Sequence, residues 1–227
     1  MCFSKKINNS TISRGIFEKL ISKLPIFWEG KETITYMKNN GSRNWRQMEW
    51  PGWYFEFVCG KILAEDSFFE IPGKKYGMVS FDGFKGINYD FKSHSEFEGS
   101  TSKVPTNGYL EVEQAISDYG AVCFIVACGD VEFDDDNQSF KNWHDQLKGK
   151  KSAYVLRGED EGRVSRRRKT SFKLNKIIFV YVDKETLPLV GSFQKGMINS
   201  NGTPRNEKVM IDLNDTRFEK YEYEVKE

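Results

Sequence analysis

Apolar residues recur at helical spacing near the N-terminal end, at Ile16, Phe17, Leu20, Ile21 and Leu24, between Ser13 and Pro25. This predicts an opening amphipathic helix. A polar stretch at 38–46 leads to Trp50-Pro51-Gly52-Trp53-Tyr54-Phe55-Glu56-Phe57-Val58. Pro51 suits the first turn of a helix ending near Leu63, with a strand as the competing reading because aromatics also favour strands. From Tyr76 the period shortens: Met78 to Asp82 and Ile87 to Lys92 flank Gly83-Phe84-Lys85-Gly86, the pattern of a β-hairpin. Leu110, Val112, Ala115, Ile116 and Tyr119 predict a second helix between Pro105 and Gly120. The unbroken apolar run Ala121 to Cys128 follows as a strand buried on both faces. Ser139 to Leu147 reads as a short helix, Ala153 to Leu156 as strand-like, and Ile177 to Val182 as a further strong strand. The expectation is an α/β chain with a mixed central β-sheet of about five or more strands flanked by helices.

The 227 residues suit a single domain. Mean hydropathy is −0.60, and with 30% charged against 38% apolar residues, 15% of the chain being aromatic, the core must be built largely from rings. No apolar run approaches the ~18 residues of a membrane span, and no secretory leader is legible at Met1 to Lys6. The expected location is therefore cytoplasmic. The four cysteines form no C-x-x-C pair and read as buried thiols. With two histidines, His94 and His144, sites that need several imidazoles are nearly excluded. Any catalysis rests on carboxylates and lysines.

The stretch Phe81 to His94 is the most informative. On a strand Asp90 and Lys92 share a face while Tyr89 and Phe91 take the other. Asp82, ending the preceding strand, could converge on the same spot. Two carboxylates and a lysine at a sheet edge could hold a hard cation such as Mg2+ through oxygen, with the ammonium beside a water or a phosphate oxygen. The competing reading is the solvated face of an edge strand with Asp82 in a turn.

This arrangement resembles the PD-(D/E)XK nuclease superfamily, in particular type II restriction endonucleases, on Asp82, Asp90 and Lys92. The resemblance covers about 75 residues, from Gly52 to Cys128, in the order helix with an acidic residue, two strands, helix, buried strand. It implies a restriction-endonuclease-like core at about 52–185, with a DNA-contacting extension at about 186–227 of the same domain. Asp82 and Asp90 would bind Mg2+, Lys92 would activate the attacking water, and a helix carboxylate, Glu56 or alternatively Glu18, would assist. It further implies a homodimer cutting a specific site in double-stranded DNA, with a companion DNA methyltransferase. A repair or junction-resolving nuclease is the other reading within that chemistry. From a different class, the alternative is a non-catalytic DNA-binding or protein-interaction module.

The formal charge of +1 argues against coating nucleic acid by bulk charge. It conceals residues 148–176, where eleven bases stand against three acids. Arg163, Arg166, Arg167, Arg168 and Lys169 there would form a basic loop able to meet phosphates or guanine edges, or a solvated charge run. His94, two positions beyond Lys92, could touch a phosphate or simply lie at the surface. Residues 193–206 place Gln194, Asn199, Asn201 and Arg205 in a polar loop whose amides suit adenine edges, or merely build turns. Asp134-Asp135-Asp136 lacks calcium-site spacing and reads as a solvated acidic turn.

Overall fold

The computed structural model of the chain describes residues 2–66, 69–71, 81–149, 153–162, 166–198 and 202–226. The first part is largely helical, with α1 (Cys2–Ile21), a short β1 (Phe27–Glu29), α2 (Gly30–Asn39) and α3 (Trp50–Leu63). Next come β2 (Gly83–Phe84), β3 (Asn88–Glu96), β4 (Lys103–Gly108), α4 (Tyr109–Tyr119) and β5 (Ala121–Phe133). The chain continues through α5 (Ser139–Lys148), α6 (Ala153–Asp160) and β6 (Lys169–Asp183). It ends in β7 (Gly191–Phe193), β8 (Lys208–Asp212) and β9 (Glu219–Glu224).

Six strands form a mixed central sheet in the order β1-β6-β5-β3-β2, with β9 on the same edge of β6 as β1. Strands from outside residues 52–185, namely β1 and β9, thus enter this sheet. β3 and β5 are parallel, joined over the top by β4 and α4, whereas β5 and β6 are antiparallel. A second sheet of three strands, β4-β8-β7, lies beside α4. Among the described residues no helix is long and apolar enough to cross a membrane.

Alternation along the two central strands feeds two cores. Cys123, Ile125 and Ala127 of β5 and Ile177, Phe179 and Tyr181 of β6 pack with Trp28, Trp50 and Phe55 of the helical layer. Val122, Phe124, Val126 and Cys128, with Ile178, Val180 and Val182, face α4 and the small sheet. Successive side chains of a strand point to opposite faces, so a strand covered on both sides must be apolar throughout. The cores rely on rings: Trp28 stacks on Phe172 at 4.5 Å and Phe55 meets Phe91 edge-on at 5.9 Å, arrangements that add to simple burial.

The register between β5 and β6 slips at Cys128/Gly129. A Cβ on Gly129 would stand 2.2 Å from the Lys173 carbonyl oxygen and 2.6 Å from the Phe172 ring. Gly129→Ala is therefore expected to destabilise the fold by about 1–3 kcal/mol through overpacking. Urea unfolding should show a lower midpoint at unchanged slope, and an unaltered midpoint would mean that the two strands separate freely there.

Three expectations change. Ala153 to Leu156 belongs to helix α6, not to a strand; a four-residue apolar run carries no period that separates the two. The hairpin is tighter than the pattern predicts, because β2 is only Gly83–Phe84 and pairs with Asn88 and Tyr89 around a turn with Gly86 at φ 74°. Met78, Val79 and Ser80 lie outside the described residues. The basic segment runs from a helix into a strand, with Lys169 already the first residue of β6.

Candidate functional site

Short β2 positions the first carboxylate. The Asp82 N–H donates to the Tyr89 carbonyl at 2.9 Å. Two residues further along β3, no β2 residue pairs with Phe91, and its N–H donates to Asp82 Oδ2 at 2.8 Å. The carboxylate thus takes the place of the missing strand neighbour, which satisfies a backbone donor that would otherwise be stranded.

Period two places Tyr89 and Phe91 in the helical-side core and turns Asp90 and Lys92 to the other face. Asp90 is 2% exposed. Its Oδ1 accepts from Asn107 Nδ2 at 3.2 Å, at the end of β4. Its Oδ2, also buried, is left to the ion pair with the Lys92 ammonium. Glu56 joins from α3, a helix that packs closely on β3: a Cβ on Gly52 would come within 3.2 Å of Ser93 Oγ. The Glu56 charge acts on both Asp82 and Lys92.

The electrostatics follow from three carboxylates sharing one ammonium. Burial, then the charges of Asp90 and Glu56, push the Asp82 carboxyl up to about 9, against the pull of Lys92 and of the Phe91 N–H. Burial pulls Lys92 down, but Asp90, Asp82 and Glu56 outweigh it and hold the amine above its ordinary value, so it remains a cation. No group of three or more His, Cys, Asp or Glu among the described residues is gathered tightly enough to cage an ion. Asp82, half-buried, and Asp90, buried with its Oδ2 shared with the Lys92 ammonium, are the two side chains that could supply oxygen to Mg2+, which takes one or two carboxylates and keeps several waters.

Of the other candidates, Glu18 is exposed and faces Arg14 one helical turn away at 4.0 Å, so the helix carboxylate near Asp82 is Glu56. His94 is half-buried among Glu96, Lys169 and Lys176, with burial lowering its pKa. Arg166 is exposed, and Arg167 reaches Asp136 at 3.2 Å. Arg168 is only 7% exposed and is no part of a solvated run. Lys169 pairs with Glu49 at 2.5 Å. Arg163, Asn199 and Asn201 lie outside the described residues. Gln194 and Arg205 line one groove with Thr203, Pro204, Asn206 and Lys208. Asp134 is buried, not solvated, and accepts the N–H groups of Phe140 and Lys141 at the start of α5.

Two site residues escaped the sequence reading. Asn107 holds Asp90, and nothing in a polar loop marks one amide above its neighbours. Lys208 of β8 stands in the field of Lys92, Asp90 and Arg205; the short apolar run Val209-Met210-Ile211 was the available strand signal.

His144 is fully buried, with Nε2–H donating to the Trp45 carbonyl at 2.9 Å and Nδ1 unpartnered. Burial, then Lys148, lower its pKa to about 4. The unfolded imidazole takes a proton near 6.5, so stability is full above that value and falls as the pH drops towards 4. The expected loss is about 3 kcal/mol, measured by urea unfolding at each pH. His144→Gln should flatten this dependence, and an equally steep curve in the variant would assign the loss to carboxylates.

Comparison of the chain with protein-family models, with curated proteins and with solved structures finds no match.

Proposed function

We propose that the chain is a Mg2+-dependent, sequence-specific endonuclease of double-stranded DNA, a type II restriction enzyme with a PD-(D/E)XK core. The observation that carries this reading is the placing of Asp82, Asp90 and Lys92 together on β3 and the turn before it, with Asp90 buried, the charge of Glu56 acting on Asp82 and Lys92, and the amine cationic. The parallel unit β3-α4-β5 supports it, since α4 and β5 follow the strand bearing Asp90 and Lys92 in the order the resemblance implies.

In this reading Asp82 and Asp90, with Glu56 beside them, hold Mg2+, which when bound lowers the pKa of a water and stabilises charge on the phosphoryl oxygens. Asn107 keeps Asp90 in its orientation. Lys92, held protonated by its three carboxylates, donates to the attacking water or to a phosphate oxygen and favours the in-line arrangement. Arg166, Arg167, Lys169 and the 193–206 loop contact DNA, Arg and the amides being the side chains that read base edges. A homodimer with a companion methyltransferase completes the proposal, acting in the cytoplasm.

A plasmid digest with Mg2+ and with EDTA tests it. Discrete fragments that appear only with Mg2+ are expected. Smearing would make the chain a non-specific or repair-type nuclease, and a plasmid intact in both would leave a non-catalytic binding module.

A further inference from the structure

We infer that Lys208, with Arg205 beside it, forms a subsite for a backbone phosphate of the DNA strand, adjoining the scissile phosphate. The inference rests on the nuclease reading and adds to it a binding residue on the second sheet. Three observations carry it. The first is connectivity: β4 pairs with β8 at Gly108 and Lys208, and the residue before Gly108, Asn107, donates to Asp90. The small sheet is thereby tied to the catalytic edge of the large one, with Lys208 placed at the tie.

The second is the groove that begins at Lys208. It has a volume of about 470 Å3 and is lined by Gln194, Thr203, Pro204, Arg205, Asn206 and Lys208. Its wall carries two cations, two amides and a hydroxyl, and no carboxylate. Two of its lining residues are held from behind, the Arg205 N–H donating to the Met197 carbonyl at 2.8 Å and Pro204 bridging to Ile198. Such a wall suits an extended anion with hydrogen-bonding edges, and nucleic-acid backbone contacts draw on these side-chain types.

The third is the field. Partial desolvation, then Lys92 and Arg205, disfavour the charge on Lys208, while Asp90 favours it. A lysine kept on the surface beside two other cations is explained by an anion that all three share. A phosphodiester between Lys92 and Lys208 relieves this repulsion, and the next phosphate along the strand then enters the groove towards Arg205.

The test is a salt titration of binding to a fluorescein-labelled random-sequence duplex in EDTA, followed by anisotropy. Lys208→Gln should lower the slope of log K against log salt by about 0.9, the loss of one phosphate contact, with an unchanged melting temperature. Lys208→Arg should restore the slope. Lys61→Gln, on α3 beside Asn40 and Tyr36 in the opposite layer, should overlay the wild type. A Lys208→Gln titration that also overlays the wild type would overturn the subsite, while Mg2+-dependent plasmid cleavage by the wild type would leave the nuclease reading in place. A wild-type protein with no salt-dependent binding would overturn both.

Discussion

Asp90→Asn and Lys92→Ala are each expected to lower plasmid cleavage by at least ~100-fold while leaving the fold and DNA binding largely intact. Asn keeps an oxygen to accept from Asn107 but loses the negative charge that faces Lys92. Ala removes the ammonium that three carboxylates hold in place. Both act on charge that develops in the transition state, so the loss should fall on kcat and not on KM. Single-turnover cleavage with excess enzyme reads the step directly. Near-wild-type rates from either folded variant would remove this strand from the active site and return Asp90 and Lys92 to the role of a structural ion pair.

Asp82→Asn should separate stability from activity. In the wild type the folded state holds a proton on Asp82 up to about pH 9, whereas the unfolded carboxyl loses it near 3.9. This group's contribution is therefore fully present below about pH 4 and is lost progressively as pH rises from there to about 9, so wild-type stability should decline across that whole window. Asn accepts the Phe91 N–H through its own oxygen and carries no charge to bury. The variant should be about 1–2 kcal/mol more stable than the wild type at pH 8 in EDTA, a rise of a few degrees in Tm, and should not cleave. Added Mg2+ should raise the wild-type Tm by binding the folded state and leave that of the variant unmoved. A variant less stable than the wild type in EDTA would show that the carboxylate serves as a cap for β3 and bears no electrostatic strain.

The chain by itself determined the parts set by local geometry. Pro51 at the start of an aromatic run placed α3, which ends at Leu63 as its pattern predicts. The run Ala121 to Cys128 marked a strand buried on both faces, and the structure extends it to Phe133. The period of two put Asp90 and Lys92 on one face, and their ion pair confirms the shared side. These features need only the backbone's own repeat and neighbours a few residues away. Tertiary structure decided what depends on residues far apart in the chain. The charge of Glu56, not that of Glu18, acts on Asp82 because α3 is the helix packed against β3. Arg168 is buried where a solvated base was expected, and Ala153 to Leu156 became helical. Asn107 and Lys208 reach the site through the pairing of β4 with β8, about a hundred residues apart in sequence. Such pairings are chosen by which faces the whole chain can cover at once, and no local pattern encodes that choice.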